Sequence, residues 1–185
     1  MIIIKESKNY RKYQEAFQNS FLNISNLEEK VPQNKEEIIQ SILDNDFDTN
    51  KNNFKSSLDT ALKRPHGIVL SSYSIDEISK MKTFKVWGIA SGYALKKKDG
   101  FSNGLDIVSV HNSSGIKQLG ELLIKSAIKN GGKYLDCFDG FLTNFYKKLG
   151  FVEYNRESYD PQYDPGGKIK KALGGERDII YMKLS

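Results

Sequence analysis

Between Leu105 and Phe138 the apolar residues change their period twice, and that change limits the fold more than any other feature of the chain. Leu105–His111 has the composition of a short strand. Ile116, Leu119, Leu123 and Ala127 then recur at the three- and four-residue spacing of one helix face. Gly131-Gly132 stops that helix, because residues without side chains suit a left-handed helix terminus. Tyr134–Phe138 is a second short strand. A strand, a helix and a strand within about 35 residues make a βαβ unit, for which parallel pairing and a right-handed crossover are expected. A ligand crevice is expected at the carboxyl ends of its strands.

The remaining segments extend this unit. Met1–Lys5 reads as a strand, and Ser7 caps a helix carrying Tyr10, Tyr13, Phe17 and Phe21 on one face. After Pro32, Asn34 caps a second helix with Glu36 and Glu37 in its first turn and Ile38, Ile39, Ile42 and Leu43 as its apolar stripe. Phe54, Leu58, Ala61 and Leu62 mark a third helix that must stop near Pro65. Gly67–Tyr73 is expected to be a strand, Ser74–Met81 a short helix, and Lys85–Lys97 one long strand with a bulky face and a thin one. The turn residues from Lys98 to Gly104 make Leu105–His111 antiparallel to it. Asp139 or Gly140 opens a last helix bearing Leu142, Phe145, Tyr146 and Leu149, followed by strands Phe151–Arg156 and Arg177–Leu184. A long loop with two Tyr-Asp-Pro turns separates those strands. The expected fold is α/β in the broad sense and α+β in detail: one domain over residues 1–185, with a mixed, mostly antiparallel sheet of six to seven strands flanked by helices.

Composition narrows the function. With 28 Lys and Arg against 23 Asp and Glu the 185 residues carry a net charge of +5, and 38% are hydrophobic, enough to fill a core. The longest apolar runs, such as Met1–Ile4 and Gly67–Leu70, fall far short of the roughly 20 residues that span a bilayer, and Lys5-Glu6 interrupts any signal-peptide core. A soluble, cytoplasmic chain without a membrane partner is expected. One cysteine, Cys137, and two distant histidines, His66 and His111, leave no ligand set for a metal. Lys96–Lys98 and Lys168–Lys171 lack interleaved aromatics, so they read as solvated loops rather than a nucleic-acid surface.

Several residues carry possible chemistry. Gly115, Lys117, Gln118, Leu119 and Gly120 stand where a strand turns into a helix, and the free amides and positive dipole end of such a start suit a phosphate. The simpler reading is a helix start with glycines for packing. His111, at the carboxyl end of its strand, titrates near neutrality and is a general-base candidate, or else a turn cap. Asp136 and Asp139 can hold a cationic acceptor or serve as base, although Asp139 also suits a helix cap. Tyr159 belongs to an acidic, aromatic loop that forms either an acceptor wall or a solvated turn. Cys137 reads as a small buried hydrophobe.

The segments Gly115–Leu123 and Asn144–Phe151, with a strand between them, together resemble the GCN5-related N-acetyltransferase (GNAT) superfamily. Its first motif reads Arg/Gln-x-x-Gly-x-Gly/Ala and its second Tyr-x-Lys-x-Gly-Phe. Here Gly120 matches the last glycine, Gln118 stands where the middle glycine is usual, and Gly115 where Arg or Gln is usual. Six positions before Tyr146, Gly140 replaces a usual Asn. The phrase Leu135–Phe141 looks like a divergent branch carried by bacteriophages, which would place the protein in the host cytoplasm.

The resemblance implies acetyl-coenzyme A as cosubstrate. Its pyrophosphate would lie on Gly115–Gly120, and its pantetheine between the splayed strands on backbone groups of Val108 and Val110, with Asn144 also near the cofactor. It implies direct attack by a primary amine of a small molecule or protein, with Tyr146 protonating the departing thiolate. Tyr146 is equally placed to be a core residue of its helix stripe. The alternative function is an inactive protein of the same fold that grips a protein partner, such as a host factor.

Overall fold

The computed structural model describes residues 34–101 and 103–185. The expected strand Met1–Lys5 and the helix of Tyr10, Tyr13, Phe17 and Phe21 lie outside them. Helix α1 (Lys35–Leu43) begins where the Asn34 side chain accepts the Glu37 amide at 2.9 Å. Only Ile38 and Ile42 of its stripe are buried, and Leu43 is exposed. Helix α2 (Lys51–Leu62) is capped in the same way by Asn50 and buries Phe54, Leu58 and Ala61. Each of the two larger side chains contributes about 1.5–3 kcal/mol by leaving water.

Gly67–Tyr73 is not a strand. Its first half is a 3-10 turn, Pro65–Val69, and its second half has no strand partner among the described residues. Gly67 lies flush on the end of α2, where a Cβ would stand 2.4 Å from the carbonyl oxygens of Ala61 and Leu62. Leu70 and Tyr73 pack against the cluster of Phe54 and Leu58, while Ile68 stays exposed. The short helix α3 (Ile75–Ser79) follows with a Ser74–Glu77 capping box.

The sheet has six strands among the described residues: β1 (Lys82–Lys85), β2 (Ser91–Lys97), β3 (Leu105–Asn112), β4 (Gly132–Phe138), β5 (Phe151–Glu157) and β6 (Ile179–Leu184), in the spatial order β1-β2-β3-β4-β6-β5. Every neighbouring pair is antiparallel except β3 and β4. The long strand expected over Lys85–Lys97 is instead a hairpin with its turn at Val86–Ala90, where Gly88 has φ +70°. The alternation of bulky and small residues runs straight through that turn, so periodicity alone conceals it.

Helices α1, α4 (Leu119–Lys129) and α5 (Phe141–Lys148) share the apolar cluster on one sheet face, with Tyr93, Leu95, Leu123, Leu135 and Met182. Helices α2 and α3 cover the other face over β1–β3, where Phe54 and Leu58 meet Ala94 and Val108. Strand β2 is thus covered on both sides, its bulky residues toward one layer and its small ones toward the other.

The two lysine runs are not loops. Lys96 and Lys97 end β2, and Lys168–Lys171 lie in helix α6 (Lys168–Leu173), inside the segment expected to be irregular. That segment is ordered around buried Asp164, which accepts the amides of Ile169 and Lys170 at 2.9 and 2.8 Å. No described helix is long and apolar enough to cross a membrane.

Candidate active site

Strands β3 and β4 pair only at their beginnings. Leu105 faces Gly132 and Asp106 faces Tyr134, after which no further pair forms. Each strand stays bonded on its far side, β3 to β2 through Asn112 and β4 to β6 through Phe138, so the two part like the arms of a V. On the β2 side the register shifts so that Ser109 and Val110 together oppose Tyr93. This is a bulge, and Ser109 occupies its left-handed position with φ +53°, where glycine is the usual residue. A cavity of about 730 Å³ opens between the strands, lined by β3 from Ile107 onward, the end of β4 from Leu135, the start of α4 at Gly120, and Tyr146 of α5.

The mouth of this V meets a helix start. Helix α4 begins at Leu119, later than the expected start beside Gly115, because residues 112–116 close on themselves. Asn112 accepts the amide and hydroxyl of Ser114 at 3.1 and 2.7 Å and donates to the Ile116 carbonyl at 2.9 Å. Gln118 is the N-cap, with φ +67° and no side-chain cap bond. The carbonyl of Gln118 accepts the Glu121 and Leu122 amides, and a Cβ added at Gly120 would meet nothing within 4 Å. A positive dipole end and a side-chain-free approach therefore face the open side. Lys117 and Gln118 are exposed beside it. These features fit a diphosphate.

Tyr146 sits at the other wall. Its ring packs against Phe145 and Phe151 at centroid distances of 5.3 and 6.0 Å, and only 8% of the residue is exposed. Among the described residues its hydroxyl has no hydrogen-bond partner. Burial pushes its pKa well up, and nearby Cys137 and Asp136 add to the effect, so the phenol stays protonated at neutral pH. Cys137 is a buried thiol whose pKa burial raises to about 11, with Thr143 Oγ1 at 3.8 Å. It is no nucleophile at neutral pH.

His111 lines the same cavity but is fully engaged. Its Nδ1 lies 2.8 Å from the Ser109 carbonyl and its Nε2 2.7 Å from Ser57 Oγ. A carbonyl only accepts, so Nδ1 carries the proton, Nε2 accepts, and Ser57 donates. Burial lowers the pKa of His111 to about 4 against the helping bond to Ser109, and the imidazole is neutral. Asp136 lines the cavity and is exposed to solvent, and the chain around it removes part of its hydration. That desolvation, reinforced by Asp106 and opposed by Lys98 and Lys96, raises its carboxyl pKa.

The structure thus brings Val108, Val110, His111, Gly120, Asp136 and Tyr146 to one cavity, leaves Gly115, Lys117 and Gln118 in the turn before α4, and buries Leu119 in the core. It does not bring in Asp139, Asn144 or Tyr159. Asp139 does not cap α5; it meets Arg156 at 2.9 Å, within an ion cluster that also holds Glu153 and Asp178. Asn144 is exposed on α5, and the Tyr159 hydroxyl donates to Asp164 at 3.1 Å. Ser57 and Ser109 were not singled out by the sequence. Ser57 leaves a trace, a polar residue on the stripe of Phe54, Leu58 and Ala61, whereas Ser109 leaves none.

From Leu105 onward the order of strands and helices is the one the sequence leads to expect, with helix α6 added between β5 and β6. The fold is the mixed, mostly antiparallel sheet flanked by helices that the sequence leads to expect. No protein-family model matches the chain, and no curated protein sequence matches it. Among solved structures, N-acetylglutamate synthase from Neisseria gonorrhoeae complexed with coenzyme A and L-arginine is similar at 15% identity over 71% of this chain, with a TM-score of 0.44. The chain spans only 31% of the length of that synthase. Rv2747 from Mycobacterium tuberculosis, in complex with CoA, is similar at 12% identity, covering 73% of this chain and 93% of its own, with a TM-score of 0.42.

Proposed function

We propose that the protein is an N-acetyltransferase that moves the acetyl group of acetyl-coenzyme A to a primary amine by direct attack. The observation that carries this reading is the parting of β3 and β4 after two residue pairs, which leaves one cavity between an open helix start and the unpartnered hydroxyl of Tyr146. The amides of Leu119 and Gly120, with Lys117 beside them, hold the diphosphate, and the free edges of Val108 and Val110 accept the extended pantetheine as a missing strand. As the amine nitrogen bonds to the acyl carbon and the carbon–sulfur bond breaks, Tyr146 gives its proton to the departing thiolate. Asp136 takes the proton from the amine. It is the only carboxylate lining the cavity among the described residues, and its raised pKa makes it a better base. His111, with its one lone pair bound by Ser57, is a positioning residue in this scheme.

A melting experiment with acetyl-coenzyme A tests the reading. Saturation at a hundred times Kd stabilises a folded chain by about 2.7 kcal/mol, a rise of roughly 5–10 °C for a domain of this size. No rise at millimolar concentration favours a protein of this fold that grips a partner instead. Gln118 in a left-handed conformation, where the family pattern has glycine, is the observation on that side.

A further inference from the structure

Ser109 is anomalous in two independent ways. Its backbone adopts φ +53°, which side chains other than glycine, Asn and Asp seldom take, and its hydroxyl is buried without any hydrogen-bond partner. It is the one such buried side-chain atom among the described residues. Only 9% of the residue is exposed, and it lines the cavity three residues past the last β3–β4 pair. A buried hydroxyl without a partner is costly, and strained backbone persists where the surroundings impose it. Those surroundings are visible. The His111 Nδ1 proton holds the Ser109 carbonyl at 2.8 Å, Ser57 of α2 fixes the imidazole from the other side at 2.7 Å, and the Phe54 ring meets it edge-on at 5.7 Å. The brace runs in one direction, from the Ser57 hydroxyl through neutral His111 to the bulge.

We propose that Ser109 is a substrate-contacting residue whose Oγ donates a hydrogen bond to the acyl carbonyl oxygen in this cavity, and that Ser57 and His111 are the positioning residues that hold it there. The proposal rests on the acetyltransferase reading. A hydroxyl aimed at the carbonyl distinguishes the acyl-loaded nucleotide from the free thiol, since coenzyme A lacks that oxygen. It also gains strength as the carbonyl takes on negative charge during attack.

Calorimetric titration of the full chain with acetyl-coenzyme A and, separately, with coenzyme A tests it. Ser109→Ala should weaken acetyl-coenzyme A binding about tenfold while leaving coenzyme A unchanged. Ser109→Gly should show the same selective loss yet melt higher than Ser109→Ala, because it removes the hydroxyl and the backbone strain together. His111→Ala should reduce the preference for the acetylated nucleotide, and His111→Gln, which keeps a donor, should restore part of it. Equal affinities of wild type and Ser109→Ala for acetyl-coenzyme A overturn the proposal and leave the acetyltransferase reading standing. So does a parallel loss toward both nucleotides. Wild-type protein that binds neither nucleotide overturns both.

Discussion

The same two strands, β3 and β4, end in opposite ways. At the closed end, where Leu105 and Asp106 pair with Gly132 and Tyr134, the charges find partners. Lys98 Nζ lies 3.4 Å from buried Asp106 and sits over the rings of Phe101, Tyr134 and Tyr181 at 5.8–5.9 Å. At the open end the Ser109 and Tyr146 hydroxyls go unpartnered, a bulge is held in a strained conformation, and a carboxyl pKa is raised. Polar satisfaction at one end stabilises the pair of strands; polar dissatisfaction at the other leaves groups available to a ligand. Substitutions at the closed end should therefore change stability and spare binding, and those at the open end should change binding.

Lys98→Met is the largest break on the closed side. It strips Asp106 of its counter-charge in a site where only 7% of the aspartate side chain is exposed, and should cost about 3 kcal/mol in chemical denaturation. The double change Lys98→Met with Asp106→Leu should regain most of that loss, and acetyl-coenzyme A binding by the folded fraction should be unaltered in both. A single variant as stable as wild type would mean that the pair contributes nothing.

The brace of the open end has its own signature in pH. The pKa of His111 is lowered from 6.5 to about 4 by burial. The unfolded chain therefore binds a proton that the folded chain refuses between those values. Its stabilisation is complete above pH 6.5 and is lost as pH falls toward 4, by about 3 kcal/mol in total. Asp139 and Glu153, held low by Arg156, act only below the ordinary carboxylate range. His111→Gln should flatten the stability curve between pH 6.5 and 4.5, and an unchanged slope there would show that the imidazole is not the titrating group.

On the chemical side, Tyr146→Phe removes the one proton donor of α5 facing the cavity while keeping the ring between Phe145 and Phe151. Turnover with a competent amine should fall about a hundredfold, roughly 2.7 kcal/mol of barrier, with acetyl-coenzyme A affinity unchanged. A variant with full turnover would return Tyr146 to the core.

What could be read in advance follows the same division. The closed end and its βαβ unit were legible, because Leu105–His111 has the composition of a strand and Leu119, Leu123 and Ala127 recur at the three- and four-residue spacing of a buried helix face. Tyr146 and Asp136 could be placed near a crevice because strand ends and helix faces are counted from the same pattern. The bulge was not legible. A serine in left-handed conformation reads like any serine, and its position is set by His111, two residues along the same strand, which Ser57 holds from a helix distant in sequence. The hairpin at Val86–Ala90 escaped for a related reason, since its small residues continue the alternation of the strand. Of Asp139 and Gly140, the two residues that could open the last helix, Gly140 stands at the N-cap, and Arg156, seventeen residues beyond Asp139, takes the carboxylate.

The smallest effect tests the helix start. Gly115 reaches φ +77° without penalty, whereas Gln118 holds φ +67° with a side chain that makes no cap bond. Left-handed backbone costs a side-chain-bearing residue about 1–2 kcal/mol, and glycine gives back part of that gain through its freedom in the unfolded chain. Gln118→Gly should then stabilise the protein by about 0.5 kcal/mol, a rise of one or two degrees in melting temperature. It should also tighten acetyl-coenzyme A binding, because an uncrowded amide lets the diphosphate come closer. Gln118→Ala keeps the strain and should leave the melting temperature where it is. If Gln118→Gly melts lower than wild type, the glutamine side chain holds the turn in place, and the open end is stabilised by more than its backbone.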